Sequence, residues 1–227
     1  MKIAEIFHSV QGEGGLVGVP SVFIRLSGCN LRCTWCDTPY TSWSPEGVEM
    51  SQENVLQTTD GFRCTHAVVT GGEPMMFPAV VPLTGQLRER GMHVTIETAG
   101  TVFQPVVCDL MSISPKLSNS TPRERESDRW AAQHDRLRHQ PEILRRLMQD
   151  YDYQIKFVVS SPEDLAEIRG WIDELRPAAG RVMLMPEGTS VGVIQSRAHW
   201  IAEACKQEGW RYSPRLHIDL WGDRRGV

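Results

Sequence analysis

The sequence predicts an α/β fold built around a parallel sheet. Six short apolar segments have the length of strands, and several are continuous rather than alternating, which is typical of strands buried on both faces of a parallel sheet. Helical patterns fall between these segments, and an alternation of strand and helix favours an α/β architecture. The six predicted strands are residues 21–26, 66–70, 92–97, 110–114, 154–159 and 182–185.

Three helices are predicted from apolar residues at helical spacing. Residues 78–90 carry an apolar stripe and stop at Gly91, a residue type that is common just after the end of a helix. Residues 162–175 repeat apolar side chains every three or four positions and follow a serine that suits an N-cap. Residues 190–208 are the third predicted helix, and they are also followed by a glycine.

Two segments depart from this alternation. Residues 40–61 are polar and rich in turn formers, so little regular structure is expected there. Residues 118–152 are dense in arginine and acidic residues, but their apolar residues predict a helical hairpin or one broken helix. The arginines could face RNA or phosphate. Because nearby acids offset their charge, a solvated surface is favoured and no direct nucleic-acid partner is expected.

Length and composition are those of an ordinary globular protein. The 227 residues suffice for one domain with a sizeable core, so we predict a single domain over 1–227 with a helical, arginine-rich insertion around 118–152; two smaller domains stay open. The chain is 41% hydrophobic and 23% charged, with a net charge of -4. The first residues lack the apolar core of a signal peptide, and no apolar run could span a membrane. We therefore expect a cytoplasmic protein without a membrane partner.

Cysteine usage indicates metal or redox chemistry. Six cysteines in a chain of this length without an export signal favour that use over disulfide bonds. Cys64, Cys108 and Cys205 are isolated along the chain, and we expect them to be small buried hydrophobic residues.

The most informative feature is the spacing of Cys29, Cys33 and Cys36, directly after the first predicted strand. Three thiolates at this spacing can bind three irons of a four-iron cluster and leave the fourth iron open to a substrate or cosubstrate. A fourth protein ligand would instead give a zinc site or a closed cluster in a non-catalytic module. The candidates for that ligand are His8, Cys64 and Asp37.

A second signal is the run Thr-Gly-Gly-Glu-Pro at residues 70–74, which follows the strand 66–70. Paired glycines at the end of a strand let the backbone approach a ligand closely, and a carboxylate there can bind an ammonium group. In α/β proteins the carboxyl ends of the strands are where sites form. The alternative interpretation is a tight turn with an exposed glutamate.

Together the two motifs resemble the radical S-adenosylmethionine superfamily. The resemblance implies that S-adenosylmethionine chelates the open iron, that Glu73 and its turn hold the methionine ammonium, and that Trp35 packs near the adenine. The reduced cluster then cleaves the sulfonium to a deoxyadenosyl radical.

A third signal narrows the resemblance to one family. The run Phe-His-Ser-Val-Gln-Gly-Glu-Gly at residues 7–14 and the stretch 18–25 look like the 7-carboxy-7-deazaguanine synthase family. Residues 96–101, 114–116, 154–157 and 217–222 agree with its pattern as well. The resemblance spans the chain and is weakest across 40–62 and 118–153.

This family converts 6-carboxy-5,6,7,8-tetrahydropterin to 7-carboxy-7-deazaguanine with loss of ammonia, in queuosine and related 7-deazapurine biosynthesis. It uses a [4Fe-4S] cluster, S-adenosylmethionine and Mg2+. The resemblance assigns the cluster to the three cysteines and Mg2+ to Thr38. The substrate contacts it implies are Val10, Gln11, Gly12, Glu13, Arg25, Thr70 and His217. The cosubstrate contacts it implies are Trp35, Cys36, Asp37, Gly72, Glu73, Ser114, Pro115, Lys116, Gln154, Ile155, Lys156 and Phe157, with Glu97 at the ribose.

The chain is too short for the eight strand–helix units of a full barrel, so we expect an incomplete TIM-type barrel of about six parallel strands with outer helices. Its open edge would need cover from residues 118–152, from the C-terminal tail or from a second subunit, and a homodimer is expected. A flavodoxin- or ferredoxin-type protein is the expected electron donor. The nearest alternative function is a radical activase that acts on a protein partner.

Overall fold

One open sheet forms the centre of this computed structural model, which describes residues 1–124 and 128–227, without the side chains of residues 128 and 129. In the described residues the strand order is β3-β1-β2-β4-β5-β6-β7-β8-β9, and the two end strands do not pair with each other. The strands are β1 Lys2–Val10, β2 Pro20–Leu26, β3 Val48–Glu49, β4 His66–Gly71, β5 His93–Thr98, β6 Leu110–Ile113, β7 Tyr153–Val159, β8 Val182–Pro186 and β9 Arg211–Tyr212.

Helices connect most of the parallel strands. Among the residues that the structure describes, the helices are α1 Pro39–Ser42, α2 Gln52–Asp60, α3 Val80–Glu89, α4 Asp128–Arg138, α5 Pro141–Asp150, α6 Asp164–Leu175, α7 Val191–Glu208 and α8 Leu216–Trp221. The Ser190 hydroxyl caps α7 by accepting from the amide of Val193. Within the described parts of the chain, no helix combines the length and apolar character needed to cross a bilayer.

The predicted partial barrel is confirmed. Strands β2, β4, β5, β6, β7 and β8 are parallel to one another and correspond to the six predicted strands. Strand β9 continues the parallel set, whereas β1 and β3 are antiparallel additions at the other edge. The sequence-based prediction did not include β1, β3 and β9, because it followed strands that alternate with helices and two of these three are only two residues long.

The two faces of the sheet have different chemistry because successive side chains of a strand point to opposite sides. On the outer face, residues such as Ile24, Val69, Ile96 and Phe157 are buried against the helices in the main hydrophobic core. The inner face carries polar side chains at the carboxyl ends of the strands, among them Arg25, Thr70, Glu97, Ser114 and Lys156. The barrel interior is therefore a polar surface suited to a ligand.

The two irregular segments have clear structures. The crossover from β6 to β7 contains two helices, α4 and α5, where a helical hairpin or one broken helix was predicted; residues 125–127 of that segment lie outside the described residues. Helix α5 contacts α6 and β6, so it lies on the outer layer rather than over an open edge. The expectation of little regular structure over 40–61 is wrong. Helix α2 begins after the cap Ser51 and buries Val55 and Leu56.

Candidate active site

A cavity of about 490 Å³ lies over the inner face, at the carboxyl ends of the parallel strands. The loop that follows β2, which carries the three cysteines and is called the cysteine loop below, forms one side of it, and the C-terminal tail forms another. The predicted site residues that line the cavity are Val10, Gln11, Gly12, Glu13, Arg25, Cys29, Cys33, Trp35, Cys36, Asp37, Thr38, Thr70, Gly72, Glu97, Ser114, Lys116, Lys156 and His217.

Five predicted contact residues do not line this cavity. Ile155 and Phe157 are fully buried on the outer face of β7, because they alternate with Gln154 and Lys156 along the strand. Gln154 accepts from the amide of Gly15 and donates to the Ser112 hydroxyl at 2.8 Å, which places it below the cavity. The other two residues are Pro115 and Glu73, both buried.

The three thiols of the cysteine loop lie on the cavity wall, and the environment of Cys29 and Cys33 disfavours free thiolates. Burial raises the pKa of Cys29 to about 12, although the amide of Leu31 donates to its sulfur at 3.3 Å. Burial also raises the pKa of Cys33 strongly. The sulfur of Cys36 lies 3.2 Å from the Ser42 hydroxyl. Iron ions would supply the positive charge that stabilises such thiolates, and three soft sulfur donors suit an iron–sulfur cluster. The residues present therefore fit the predicted cluster.

The fourth-ligand candidates do not complete a single-ion site. Neither His8 nor Cys64 lines the cavity; His8 stacks on Phe62 at 6.0 Å between ring centroids, and Cys64 lies before β4, at the opposite end of the sheet. Asp37 lines the cavity but is paired with Arg215. Across residues 1–124 and 128–227, no three or more His, Cys, Asp or Glu residues are grouped so as to share one metal ion.

The back of the cysteine loop is fixed by the β6–β7 crossover. The amide of Thr34 donates to the carbonyl of Ser120 at 2.8 Å, and the amide of Arg32 donates to Nδ1 of His134 at 3.1 Å. His134 is buried in α4, and its Nε2 lies 2.8 Å from the Ser120 hydroxyl. Because that hydroxyl donates to Leu117, it accepts from His134, so the neutral imidazole satisfies both partners.

The Gly-Gly-Glu-Pro turn is packed directly against the start of the cysteine loop. Gly71 has a φ of +138°, and a Cβ at this position would lie 2.1 Å from the carbonyl oxygen of Leu26. A Cβ on Gly72 would lie 2.3 Å from the carbonyl oxygen of Gly28 and 2.7 Å from the Cβ of Cys29. Both positions therefore require glycine, and the backbone of Gly72 reaches the cavity wall.

Glu73 anchors this turn rather than facing the cavity. Its carboxylate accepts from the Thr98 hydroxyl and from the amide of Ala99, both at 2.8 Å, and from the amide of Met75 at 3.1 Å. Burial raises the pKa of Glu73, and these hydrogen bonds oppose the shift. The side chain thus ties β4 to the end of β5, whereas an exposed glutamate was the alternative interpretation.

The predicted substrate residues Gln11 and Thr70 meet at Glu97. Gln11 Nε2 donates to one carboxylate oxygen of Glu97 at 3.1 Å, and the Thr70 hydroxyl donates to the other at 2.8 Å. Glu97, which was expected at the cosubstrate ribose, is therefore bonded to predicted pterin contacts. His217 lies over Gly12, where a Cβ would be only 2.0 Å from Nδ1 of the ring.

Four charges alternate in sign along the floor of the cavity: Lys156 and Arg215 are buried, whereas the side chains of Glu13 and Asp37 are 17% and 42% exposed. Lys156 pairs with Glu13, Glu13 accepts from Nε of Arg215 at 3.2 Å, and Arg215 pairs with Asp37. Partial desolvation opposes ionisation of the two carboxyl groups, but the neighbouring cations hold the pKa of Glu13 and of Asp37 below their ordinary values. Arg215 also donates to the carbonyl of Gly188 at 2.5 Å. This network joins residues predicted to contact substrate with residues predicted to contact cosubstrate.

Three of the predicted cosubstrate residues form a separate group. Lys116 Nζ donates to the Ser114 hydroxyl at 2.8 Å and lies 5.7 Å from the centroid of the Trp35 ring. Trp35 Nε1 donates to the carbonyl of Asn119 at 3.1 Å.

Several cavity residues were not predicted from the sequence. Arg215 lies two positions before the predicted His217 but has no local signature of a buried ion pair. Glu5 could have been found by recognising β1 as a strand, and Tyr40 lies in the segment that was expected to lack structure. The last five residues, 223–227, also line the cavity, and their composition gave no signal.

The chain is similar to known enzymes over its whole length. Residues 23–115 match the family model of the Radical SAM superfamily. The 7-carboxy-7-deazaguanine synthase of Rhodopirellula baltica is 46% identical over 100% of this chain and 89% of its own length, and that of Halobacterium salinarum is 42% identical over 98% and 91%. The crystal structure of QueE from Escherichia coli superimposes with a TM-score of 0.71 at 28% identity, covering 95% of this chain and 94% of that one. The fold, the site and these relatives lead to one conclusion: the chain belongs to the 7-carboxy-7-deazaguanine synthase family of the radical S-adenosylmethionine superfamily.

Proposed function

We propose that the protein converts 6-carboxy-5,6,7,8-tetrahydropterin to 7-carboxy-7-deazaguanine with release of ammonia, in 7-deazapurine (queuosine) biosynthesis. The observation that carries this proposal is a single cavity that combines the three thiols of the cysteine loop with the polar group Gln11, Thr70, Glu97 and Arg25. The protein uses a [4Fe-4S] cluster, S-adenosylmethionine and Mg2+, as its family does. When bound, the cluster and S-adenosylmethionine supply a carbon radical that abstracts hydrogen.

The proposed pterin contacts are those that the family resemblance implies, and their chemistry suits a pterin. The amide of Gln11 can match the pyrimidinone edge, and the carboxylate of Glu13 can accept from an aminopyrimidine. Arg25 is the proposed partner of the pterin carboxylate, since guanidinium and carboxylate form paired hydrogen bonds. Val10, Gly12, Thr70 and His217 complete the proposed contact set.

The cosubstrate contacts are assigned to the cysteine loop and the neighbouring strand ends. Trp35, Asp37 and the backbone of Gly72 lie beside the thiols, and Ser114 and Lys116 offer a hydroxyl and an ammonium at the next strand end. These groups can orient a nucleoside and an amino acid carboxylate. The same proposed set includes Cys36 and Lys156. It also includes five buried residues, which would act by shaping the strand ends: Glu73, Pro115, Gln154, Ile155 and Phe157.

Thr38 is the proposed protein contact of Mg2+. It lines the cavity, and its hydroxyl lies 3.8 Å from the sulfur of Cys36. One protein oxygen is few for Mg2+, which usually keeps several waters and takes ligand oxygens as well. The ion would therefore orient the pterin carboxylate. Chelation should lower turnover and Mg2+ should restore it; indifference to both would remove the ion from the proposal.

The proposed partners and location follow the same assignment. We infer a flavodoxin- or ferredoxin-type electron donor, a homodimer and a cytoplasmic location. The six cysteines are all free in the structure, which supports a reducing compartment. The cavity suits a small bicyclic substrate, and this favours a pterin over the protein partner that a radical activase would need.

Anaerobic reconstitution tests the proposal. The enzyme is loaded with iron and sulfide, then incubated with 6-carboxytetrahydropterin, S-adenosylmethionine, Mg2+ and a reductant. Formation of the deazapurine, identified by mass and absorbance, and release of ammonia are expected. Cleavage of S-adenosylmethionine without conversion of the pterin would reject this substrate.

A further inference from the structure

Glu5 and Arg25 form an ion pair at the edge of the cavity. They are direct partners in the antiparallel register of β1 and β2, and Nε of Arg25 donates to Oε1 of Glu5 at 2.7 Å. The two side chains, Arg25 and Glu5, are only 18% and 15% exposed. This pair could serve structure alone, but both residues line the cavity.

Tyr40 binds the same carboxylate oxygen. Its hydroxyl donates to Oε1 of Glu5 at 2.7 Å, and the guanidinium carbon of Arg225 lies 3.7 Å from the centroid of the phenol ring. Glu5 is thus held by two donors from different elements.

This arrangement leaves one edge of the guanidinium for a ligand. An arginine can bind a carboxylate side-on, through Nε and one terminal nitrogen, or end-on, through its two terminal nitrogens. Glu5 occupies Nε of Arg25, and the described residues provide no hydrogen-bond partner for the terminal nitrogens. Only the end-on edge remains for an incoming carboxylate.

We propose that Glu5 and Tyr40 are positioning residues that hold Arg25 for end-on binding of the substrate carboxylate, and that they set the preference for a carboxylated pterin. The proposal rests on the proposed function. Because the carboxylate of Glu5 neutralises the charge of Arg25, Glu5 does not add attraction for an anion. Its contribution is geometric, since it restricts the direction from which a carboxylate can bind Arg25.

Equilibrium dialysis of the reconstituted enzyme against two fluorescent, unreactive pterins tests the proposal. The quantity measured is the ratio of the Kd of pterin to the Kd of 6-carboxypterin. We expect wild type to favour 6-carboxypterin. Tyr40→Phe should lower the ratio about fivefold, as expected for one lost hydrogen bond, and Glu5→Ala about tenfold. Glu5→Gln keeps a side-chain oxygen for both donors and should restore most of the ratio.

The matched control is Glu187→Ala. Glu187 pairs with Arg197 at 2.5 Å with similar exposure, 20% and 22%, and neither residue lines the cavity. This variant should keep the wild-type ratio. In turnover assays, Tyr40→Phe and Glu5→Ala should raise the KM for the carboxylated pterin with little change in the KM for S-adenosylmethionine.

The possible outcomes distinguish a failure of the positioning roles from a failure of the proposed function. A wild-type ratio near one, or an unchanged ratio in both Tyr40→Phe and Glu5→Ala, overturns the positioning roles even if the enzyme makes the deazapurine. Absence of deazapurine from the wild-type enzyme rejects the proposed function, whatever the dialysis shows.

Discussion

The guanidinium of Arg215 is paired with the carboxylate of Asp37, the residue that directly follows the last cysteine of the cysteine loop. Arg215 is 5% exposed and also pairs with Glu13 in the loop after β1. One side chain from the C-terminal segment thus fixes both the proposed cosubstrate side and the proposed substrate side of the cavity.

Replacing Arg215 should destabilise the protein. Arg215→Met leaves the partly buried carboxylate of Glu13 with one fewer cation and removes the partner of Asp37, which is 42% exposed. Loss of these charge-assisted hydrogen bonds should cost about 1–3 kcal/mol. Urea unfolding of the metal-free protein under anaerobic conditions measures the change. Arg169→Met is the control, since Arg169 is 53% exposed in its pair with Glu208 and should cost about 1 kcal/mol or less. Equal losses in the two variants would contradict the structural role of the buried network.

Cys33→Ala should abolish cluster binding, because it removes one of three thiolate ligands. Iron and sulfide content and visible absorbance after reconstitution should fall to background, and turnover should disappear. Cys64→Ala is the control, because Cys64 does not line the cavity. Retention of a full cluster and of activity in Cys33→Ala would refute the assignment of this thiol.

Gly72→Ala should disturb the cysteine loop. The new methyl group would lie 2.3 Å from the carbonyl oxygen of Gly28 and 2.7 Å from Cβ of Cys29, so backbone atoms must shift. Reduced iron incorporation and weaker binding of S-adenosylmethionine are expected. Gly85→Ala is matched to it: Gly85 lies in α3, where an added methyl group would meet no atom within 4 Å, and alanine favours a helix by about 1 kcal/mol. Normal iron incorporation by Gly72→Ala would show that the close approach is not required.

His134 should make stability depend on pH. Burial lowers the pKa of His134 to about 4, from an ordinary value of 6.5. The unfolded chain therefore takes up a proton near pH 6.5, whereas the folded protein does so only near pH 4. The contribution of neutral His134 to the free energy of unfolding is complete above about pH 6.5 and is lost as the pH falls towards 4.

Urea midpoints measured between about pH 7 and about pH 5 test this dependence. The wild-type midpoint should fall across that range, and His134→Gln should flatten the decrease. His199→Gln, at an exposed position in α7, should leave the wild-type dependence in place. A slope that is the same in all three proteins would assign the pH dependence to other groups.

Local patterns predicted the elements and motifs that act over short stretches of chain. The six parallel strands and the helical character of residues 118–152 were predicted because continuous apolar runs and helical spacing arise from burial against the next layer. Strand β1 was not predicted, because one of its faces lies on the polar cavity, which weakens its apolar pattern. It also pairs with β2 in the antiparallel direction, without the crossover helix that marks the parallel strands. The stretch 154–157 was predicted as one contact group, yet the pleat of β7 turns Ile155 and Phe157 away from the cavity.

The sequence by itself determined the chemistry of the site, because each motif, the three cysteines and the glycine turn, lies within a few consecutive residues and can be recognised locally. Only the tertiary structure decided which charges face one another. Arg215 is separated by 178 residues from Asp37 and by 202 from Glu13, and Tyr40 meets Glu5 across 35 residues. No local periodicity encodes such pairs, since they form only when the open sheet brings its strand ends and the C-terminal tail around one cavity.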